Sequence, residues 1–367
     1  MSDNPRRPLR GRAARTTVLL LAILFFAFPH VSLAQDYGDW TVACDNVRDC
    51  AAFGFPAQDA DINGVASFRR GGEAQSEAKA SVSLFVDGAK GTEPLKLTVD
   101  GKPIAGVKAE RTGLSGQSAR DGFTTEISAD ELGPFVAALR RGRVLTIATR
   151  GGKERADISL RGAVAALLRM DDLQGRVGTK TALIRKGGKP FVATVPPAPV
   201  IEAARLPEIK GSPELATRLR KAKSRYLDAN CDDVSNLEGP ADVVEPLDDS
   251  RSLVGLACQT GAYNFTTAFW TVTGDDVSAA APVAFETPGA PAERILTNAS
   301  FDRKTATLRF FRKDRGLGDC GAAGEYVWTG AKFALLSYAV MKACRGLAPE
   351  DWPTVWRARL SAPQPAK

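Results

Sequence analysis

The chain has 367 residues, with 49 basic and 42 acidic side chains, a net charge of +7, six cysteines and a single histidine, His30. Residues 35–367 therefore contain no histidine, which removes the commonest general base, the commonest metal ligand and the central member of Ser-His-Asp and Cys-His sites. Five Arg and one acid fall within residues 1–34, so the remainder carries only +3, and the basic pI is no argument for nucleic-acid binding.

A basic cluster, Arg6, Arg7, Arg10, Arg12 and Arg15, precedes the apolar run VLLLAILFFAF at 18–28. A helix that spans a bilayer needs roughly 20 apolar residues. Eleven is the length of a signal-peptide hydrophobic region. Small residues at Ser32 and Ala34 place the expected cleavage between Ala34 and Gln35. Residues 1–34 are thus expected to be a signal peptide, and the protein to work in the periplasm of a Gram-negative bacterium or outside the cell. No later stretch is apolar and long enough to hold it in a membrane after cleavage. Loss of 34 residues from 367 leaves 333, enough for two ordinary cores.

The expected fold class is mainly β with a few helices (α+β), in two β-rich domains of which the first is sandwich-like. Residues 35–187 form the N-terminal β-rich domain. WTVAC (40–44) and CAAFGF (50–55) flank a polar turn, so a hairpin would bring Cys44 and Cys50 together. SVSLFV (81–86) and LKLTV (95–99) alternate at strand period, and each ends in Asp-Gly. Ser128 and Glu131 form a capping box before a short helix expected at 134–141. VLTIAT (144–149) reads as a strand, 163–173 as a helix, and KTALIR (180–185) as an extended segment.

Residues 188–211 hold Pro190, Pro196, Pro197, Pro199 and Pro207 and read as an extended linker. The C-terminal β-rich domain, 212–367, opens with a helix expected over 213–227, with Ser212 as N-cap and Pro213 in its first turn. One face of that helix is basic: Arg218, Arg220, Lys221, Lys223 and Arg225. Strands follow at 252–258, 263–273, 282–286, 294–301 and 305–312, then a hairpin of 325–328 with 332–341.

Six cysteines in an exported chain read as three disulfides. If each domain closes separately, Cys44 pairs with Cys50. The turn near Gly330 brings Cys320 to Cys344, and Cys231 is then left to pin the opening helix to the sheet at Cys258.

Other candidate sites are weaker. Asp59, Asp61 and Asn63 with Gly64 match the first half of a calcium loop, but the twelfth position, where a bidentate acid belongs, is Arg70. The sequence Ser76-Glu77-Ala78-Lys79 fits S-x-x-K, without the partner motifs of Ser-Lys acyl enzymes. The acid pairs Asp171-Asp172, Asp232-Asp233, Asp248-Asp249 and Asp275-Asp276 read as helix ends and loops. A glycosidase needs two carboxyls facing across a cleft, which spacing in sequence does not show.

The segments YGDWTVACDNVRDC, SLRGAVAALLRMDDLQGRVGTKTALIRKG, CQTGAYN, RGLGDCG, EYVWTGAKFAL and ACRGLAPEDWPTVWRA together resemble the exported proteobacterial family called domain of unknown function 1176. The likeness runs over nearly all of the chain beyond residue 34. The first domain, with its W-T-V-x-C opening and Cys-x5-Cys loop, is also similar to the invasion-associated locus B proteins, small secreted β-rich proteins. Neither resemblance brings a catalytic motif or a cofactor. The expected function is a non-enzymatic binding or interaction protein that supports the cell envelope, with an envelope protein or glycan as partner ahead of nucleic acid. The alternatives are a carbohydrate-active envelope enzyme using paired carboxylates, or an inhibitor of cell-wall lytic enzymes.

Overall fold

The computed structural model describes residues 34–361 apart from 58–59, 62, 91, 110–111, 115–120 and 233–241. The segment expected to be a signal peptide lies outside the described residues except for Ala34, which is buried; Gln35, the residue after the expected cleavage, is exposed and begins the first strand.

The fold is mainly β. In the N-terminal part, strands β1 (Gln35–Tyr37), β2 (Trp40–Cys44), β3 (Cys50–Gly54), β4 (Gly64–Arg70), β5 (Lys79–Phe85), β6 (Leu95–Val99), β7 (Lys102–Pro103), β8 (Thr112–Leu114) and β9 (Gly122–Ile127) come first. Helix α1 (Ala129–Leu139), strands β10 (Val144–Thr149) and β11 (Arg155–Ser159), and helix α2 (Ala163–Leu173) follow. An antiparallel sheet runs β1-β2-β3-β4-β5-β9-β8, and a second runs β11-β10-β6-β7. Alternate residues of both sheets, Val82 and Leu84 from one and Leu97, Leu145 and Ile158 from the other, enter a single core with Phe135 of α1 and Leu167 of α2. Trp40 lies flat over Gly54, where a β-carbon would come within 2.2 Å of the indole, so only glycine fits beneath it.

Helix α1 begins five residues earlier than the prolines and apolar spacing indicate. The Ser128 N–H donates to Glu131 at 3.1 Å, closing the N-terminus there. Pro134 then lies within the helix, where it forgoes only the bond to the Asp130 carbonyl.

In the C-terminal part the helix expected over 213–227 is two helices, α3 (Pro213–Ala222) and α4 (Ser224–Asn230). Lys223, at φ −105° and ψ 16°, leaves the helical region between them. Together they cover Leu256, Cys258 and Trp270 of a sheet built on 251–260 and 265–273. A second sheet runs through 300–302, 307–313, 321–328, 333–341 and 354–357. The single strand expected at 294–301 is broken at Asn298, which adopts φ +47°.

Disulfides join Cys44–Cys50, Cys231–Cys258 and Cys320–Cys344, and among the described residues no cysteine is free. Cys44 and Cys50 are directly opposed across the β2–β3 hairpin. Its turn presents polar groups to the C-terminal part. Asn46 exchanges two hydrogen bonds with the Arg357 backbone, at 2.8 and 2.9 Å, and Arg357 meets both Asp45 and Asp49. Beside these contacts Phe53, Phe55 and Phe85 pack with Met341, Leu347 and Trp352. All the described residues fall in one compact unit.

The proline-rich segment is extended and docked along this unit. Val200–Ile201 pairs in parallel with Arg359–Leu360, and the Ala204 N–H donates to the Trp328 carbonyl at 2.8 Å. Among the described residues no helix is long and apolar enough to cross a membrane.

The bridges close loops of very different length, with sequence separations of 6, 27 and 24 in chain order. Chain entropy assigns about 2.4 kcal/mol to the shortest and about 3.5 kcal/mol to each of the others. The paired Cys44→Ser, Cys50→Ser variant should lose less stability than the corresponding Cys231, Cys258 variant, as measured by urea denaturation. The reverse order would contradict this.

Candidate functional site

Helix α2 has an apolar stripe, Ala163, Leu167 and Met170, packed into the core. Asp171 and Gln174 continue that stripe and are buried with it, at 0% and 1% exposure. A carboxylate so placed needs partners, because an unpaired buried charge is costly. Arg70, at the end of β4, supplies a guanidinium N–H at 2.6 Å. The backbone N–H groups of Leu183 and Ile184 donate to the same carboxylate at 2.8 and 2.9 Å. Gln174 accepts from Arg70 Nε at 2.5 Å and donates to the carbonyls of Arg48, Arg70 and Gly71.

This arrangement corrects the expectation of an extended segment at 180–185, which is a run of turns and bends. With two of its amides drawn onto Asp171, the segment forms no β-ladder. It is the arm of a closed loop. Gly178 N–H bonds to the Arg185 carbonyl at 2.8 Å, Gly187 N–H to Thr179 at 3.0 Å and Lys180 N–H to Lys189 at 3.1 Å. Gly187 passes so close to Gly178 that a β-carbon would meet its carbonyl oxygen at 2.3 Å.

Arg176 is fully buried beneath this loop and donates to the Thr181 hydroxyl at 3.0 Å and the Glu73 carbonyl at 2.6 Å. Its guanidinium lies 3.8 Å from the centre of the Phe191 ring, which ties the start of the proline-rich segment to the loop. Burial, and then the like charge of Arg70, push the Arg176 pKa down to about 10. It stays charged at neutral pH. Arg70 pairs directly with Asp171, while Arg176 feels that carboxylate's charge without bonding to it.

The loop walls an open cleft of about 1060 Å³, bounded by α1, residues 74–78 and residues 180–186. Its floor includes Ala129, Gly133 and Ala137, one helical turn apart on the exposed face of α1. Ser76 and Glu77 line it, as do Asp130, Arg140, Lys180 and Arg185.

The residues singled out by sequence are distributed differently. Of the calcium-loop set, Asp59 lies outside the described residues, Asp61 is exposed, and the Asn63 amide donates to the Arg155 carbonyl at 2.7 Å. Arg70, at the position where that loop requires an acid, is instead the partner of Asp171. Among the described residues no group of three His, Cys, Asp or Glu is placed to hold a metal ion. Ser76 lies in a loop and Lys79 begins β5, so no helical turn carries the two together. Of the acid pairs, Asp171 is the buried hub while Asp172 is exposed and meets Arg169. Asp248 caps the 248–251 turn, and Asp275 meets Arg218 on the basic face of α3. Asp232 is described but Asp233 is not. Arg220 of that basic face pairs with Asp242, so the face is partly neutralised.

A family model for proteins of unknown function, DUF1176, matches residues 34–359. The chain belongs to the DUF1176 family. It is 29% identical over 360 residues to the uncharacterized protein YpfG of Escherichia coli (strain K12), covering 93% of this chain and 99% of that protein. No solved structure matches. In this DUF1176 protein Arg70, Asp171, Gln174, Arg176 and the 180–186 loop are the features that sequence reading passed over. The available signal was the helical spacing, since Asp171 stands four residues beyond Leu167 and so on the buried face of α2.

Truncating Asp171 to Ala strands a buried Arg70 and two amides. The expected loss is about 3–5 kcal/mol in urea denaturation. An Asp171→Leu, Arg70→Leu double variant should lose less than Asp171→Ala. A loss under about 1 kcal/mol for Asp171→Ala, the scale of an exposed pair, would contradict the assignment.

Proposed function

We propose that this protein is an exported, non-enzymatic binding protein of the bacterial envelope, working in the periplasm or outside the cell, and that the cleft beside α1 is its ligand site. The observation that carries the reading is the preorganised wall. A loop without regular secondary structure is fixed from beneath by Asp171, Arg70 and Arg176, and faces open space of ligand size. Preorganisation lowers the ordering cost of binding. A binding role also suits the residue supply: beyond residue 34 there is no histidine, and all six cysteines are in disulfides. The basic, apolar and small-residue segments at the N-terminus support export with cleavage between Ala34 and Gln35. The W-T-V-x-C opening supports a distant likeness of the N-terminal part to the invasion-associated locus B proteins.

One observation favours the enzymatic alternative. Glu77 and Asp130 both line the cleft, as two carboxylates that a glycosidase would require.

The test uses protein recovered from the periplasm, expected to begin at Gln35, and measures its capture of solubilised envelope glycan. At Gly133 an added β-carbon meets nothing within 4 Å, so Gly133→Phe should fill the cleft without disturbing the helix. Capture should be lost while the melting temperature holds. Equal capture by both forms would overturn the assignment of the cleft. New reducing ends that disappear in Glu77→Gln would transfer the site to catalysis.

A further inference from the structure

We infer that the cleft beside α1 binds an acidic oligosaccharide, read by the carboxylates along its chain. The inference rests on the reading of that cleft as the ligand site and adds the chemistry of its occupant.

Charge is the first reason. Arg140, Lys180, Arg185 and Lys186 line the cleft against only Glu77 and Asp130. All four cations are exposed, and none takes part in an ion pair seen among the described residues. Behind them the buried Arg176 guanidinium bonds to a hydroxyl and a carbonyl, while Asp171 is engaged by Arg70. Arg176 adds a buried positive charge beneath the loop, offset in part by Asp171. Three of the four rim cations stand on the 178–189 loop, whose backbone is closed on itself and anchored below. Such a cluster of cations, most of them on an anchored backbone, suits a chain that repeats a negative charge.

The lining also selects among anionic chains. Apart from Arg70 at the end of β4, which is paired with β3 and β5, the described walls are a helix and two loops, so a peptide has no free strand edge to join. Of the larger apolar residues in the lining, Val136, Leu183 and Ile184 are themselves buried, and the exposed face of α1 presents only Ala129, Gly133 and Ala137. Gln75, Ser76 and Thr181 line the same space and provide an amide and two hydroxyls for sugar hydroxyls. Among the described lining residues none is aromatic, so recognition here proceeds by charge and hydrogen bonding and not by stacking of a neutral sugar.

The test is calorimetric titration of the protein with tetragalacturonate, maltotetraose, tetraglutamate and inorganic phosphate at low salt. Tetragalacturonate should bind, and the other three should bind at least about tenfold more weakly. Its affinity should fall as salt rises toward 0.5 M, as expected for exposed charges. Reversal of Arg185→Glu together with Lys186→Glu should weaken it by at least about tenfold, whereas Arg185→Lys should retain it. Both positions are exposed, so the melting temperature should not change. Equal binding of maltotetraose, tetraglutamate or phosphate overturns the inference, as does indifference to charge reversal or no binding of tetragalacturonate. The cleft reading stands if the preferred probe is still excluded by Gly133→Phe. If tetragalacturonate binds equally well to Gly133→Phe, the cleft is not the site and both readings fall.

Discussion

Asp171 is a fully buried carboxylate on a helix whose neighbouring stripe is apolar, and almost everything about the cleft follows from how that charge is satisfied. The helix cannot rotate it outward without exposing Leu167 and Met170. Partners have to come to it: Arg70 from the end of a sheet strand, and the amides of Leu183 and Ile184 from a segment that would otherwise extend. A buried polar network of this kind is stabilising only when every member is satisfied, and that requirement fixes the geometry of the loop above it. Arg176 and Phe191 link the loop to the proline-rich segment, which is held by a cation–π contact as well as by its pairing with Arg359–Leu360.

A second polar set organises the contact between the two parts of the chain. The Cys44–Cys50 bridge closes a hairpin whose turn is held internally by Asp45, which accepts the Val47 and Asp49 N–H groups at 3.0 and 2.9 Å. That turn meets Arg357 on one side, while Arg69 reaches Asp351 nearby. Burial raises the Asp45 pKa against the opposing attraction of Arg357, so the group is less comfortable charged than an exposed aspartate. The aromatic cluster of Phe53, Phe55 and Trp352 supplies the apolar share of the contact.

The mainly β fold was legible because period-two alternation, Asp-Gly turns and a capping box are local signals, as at 81–86, 95–99 and Ser128. The break between α3 and α4 at Lys223 was not, since the apolar spacing runs through it unchanged. The segment KTALIR read as extended because it has strand-like residues, and the true partner of its Leu183 amide lies on a helix twelve residues earlier. The buried pair was hidden for a related reason. Arg70 looked like a flaw in a calcium loop and Asp171 like part of an acid pair at a helix end, and only the fold shows that each completes the other. Long-range pairing of two charges leaves no mark in a local window.

The central claim, that a loop without regular secondary structure is locked by a buried carboxylate, is tested most directly by native-state hydrogen exchange at the amides of Leu183 and Ile184. Both should exchange only through openings that cost nearly as much as global unfolding, like the amides of the central strands. Exchange within about tenfold of the rate of an unstructured peptide would show that the loop is free, and would contradict the account.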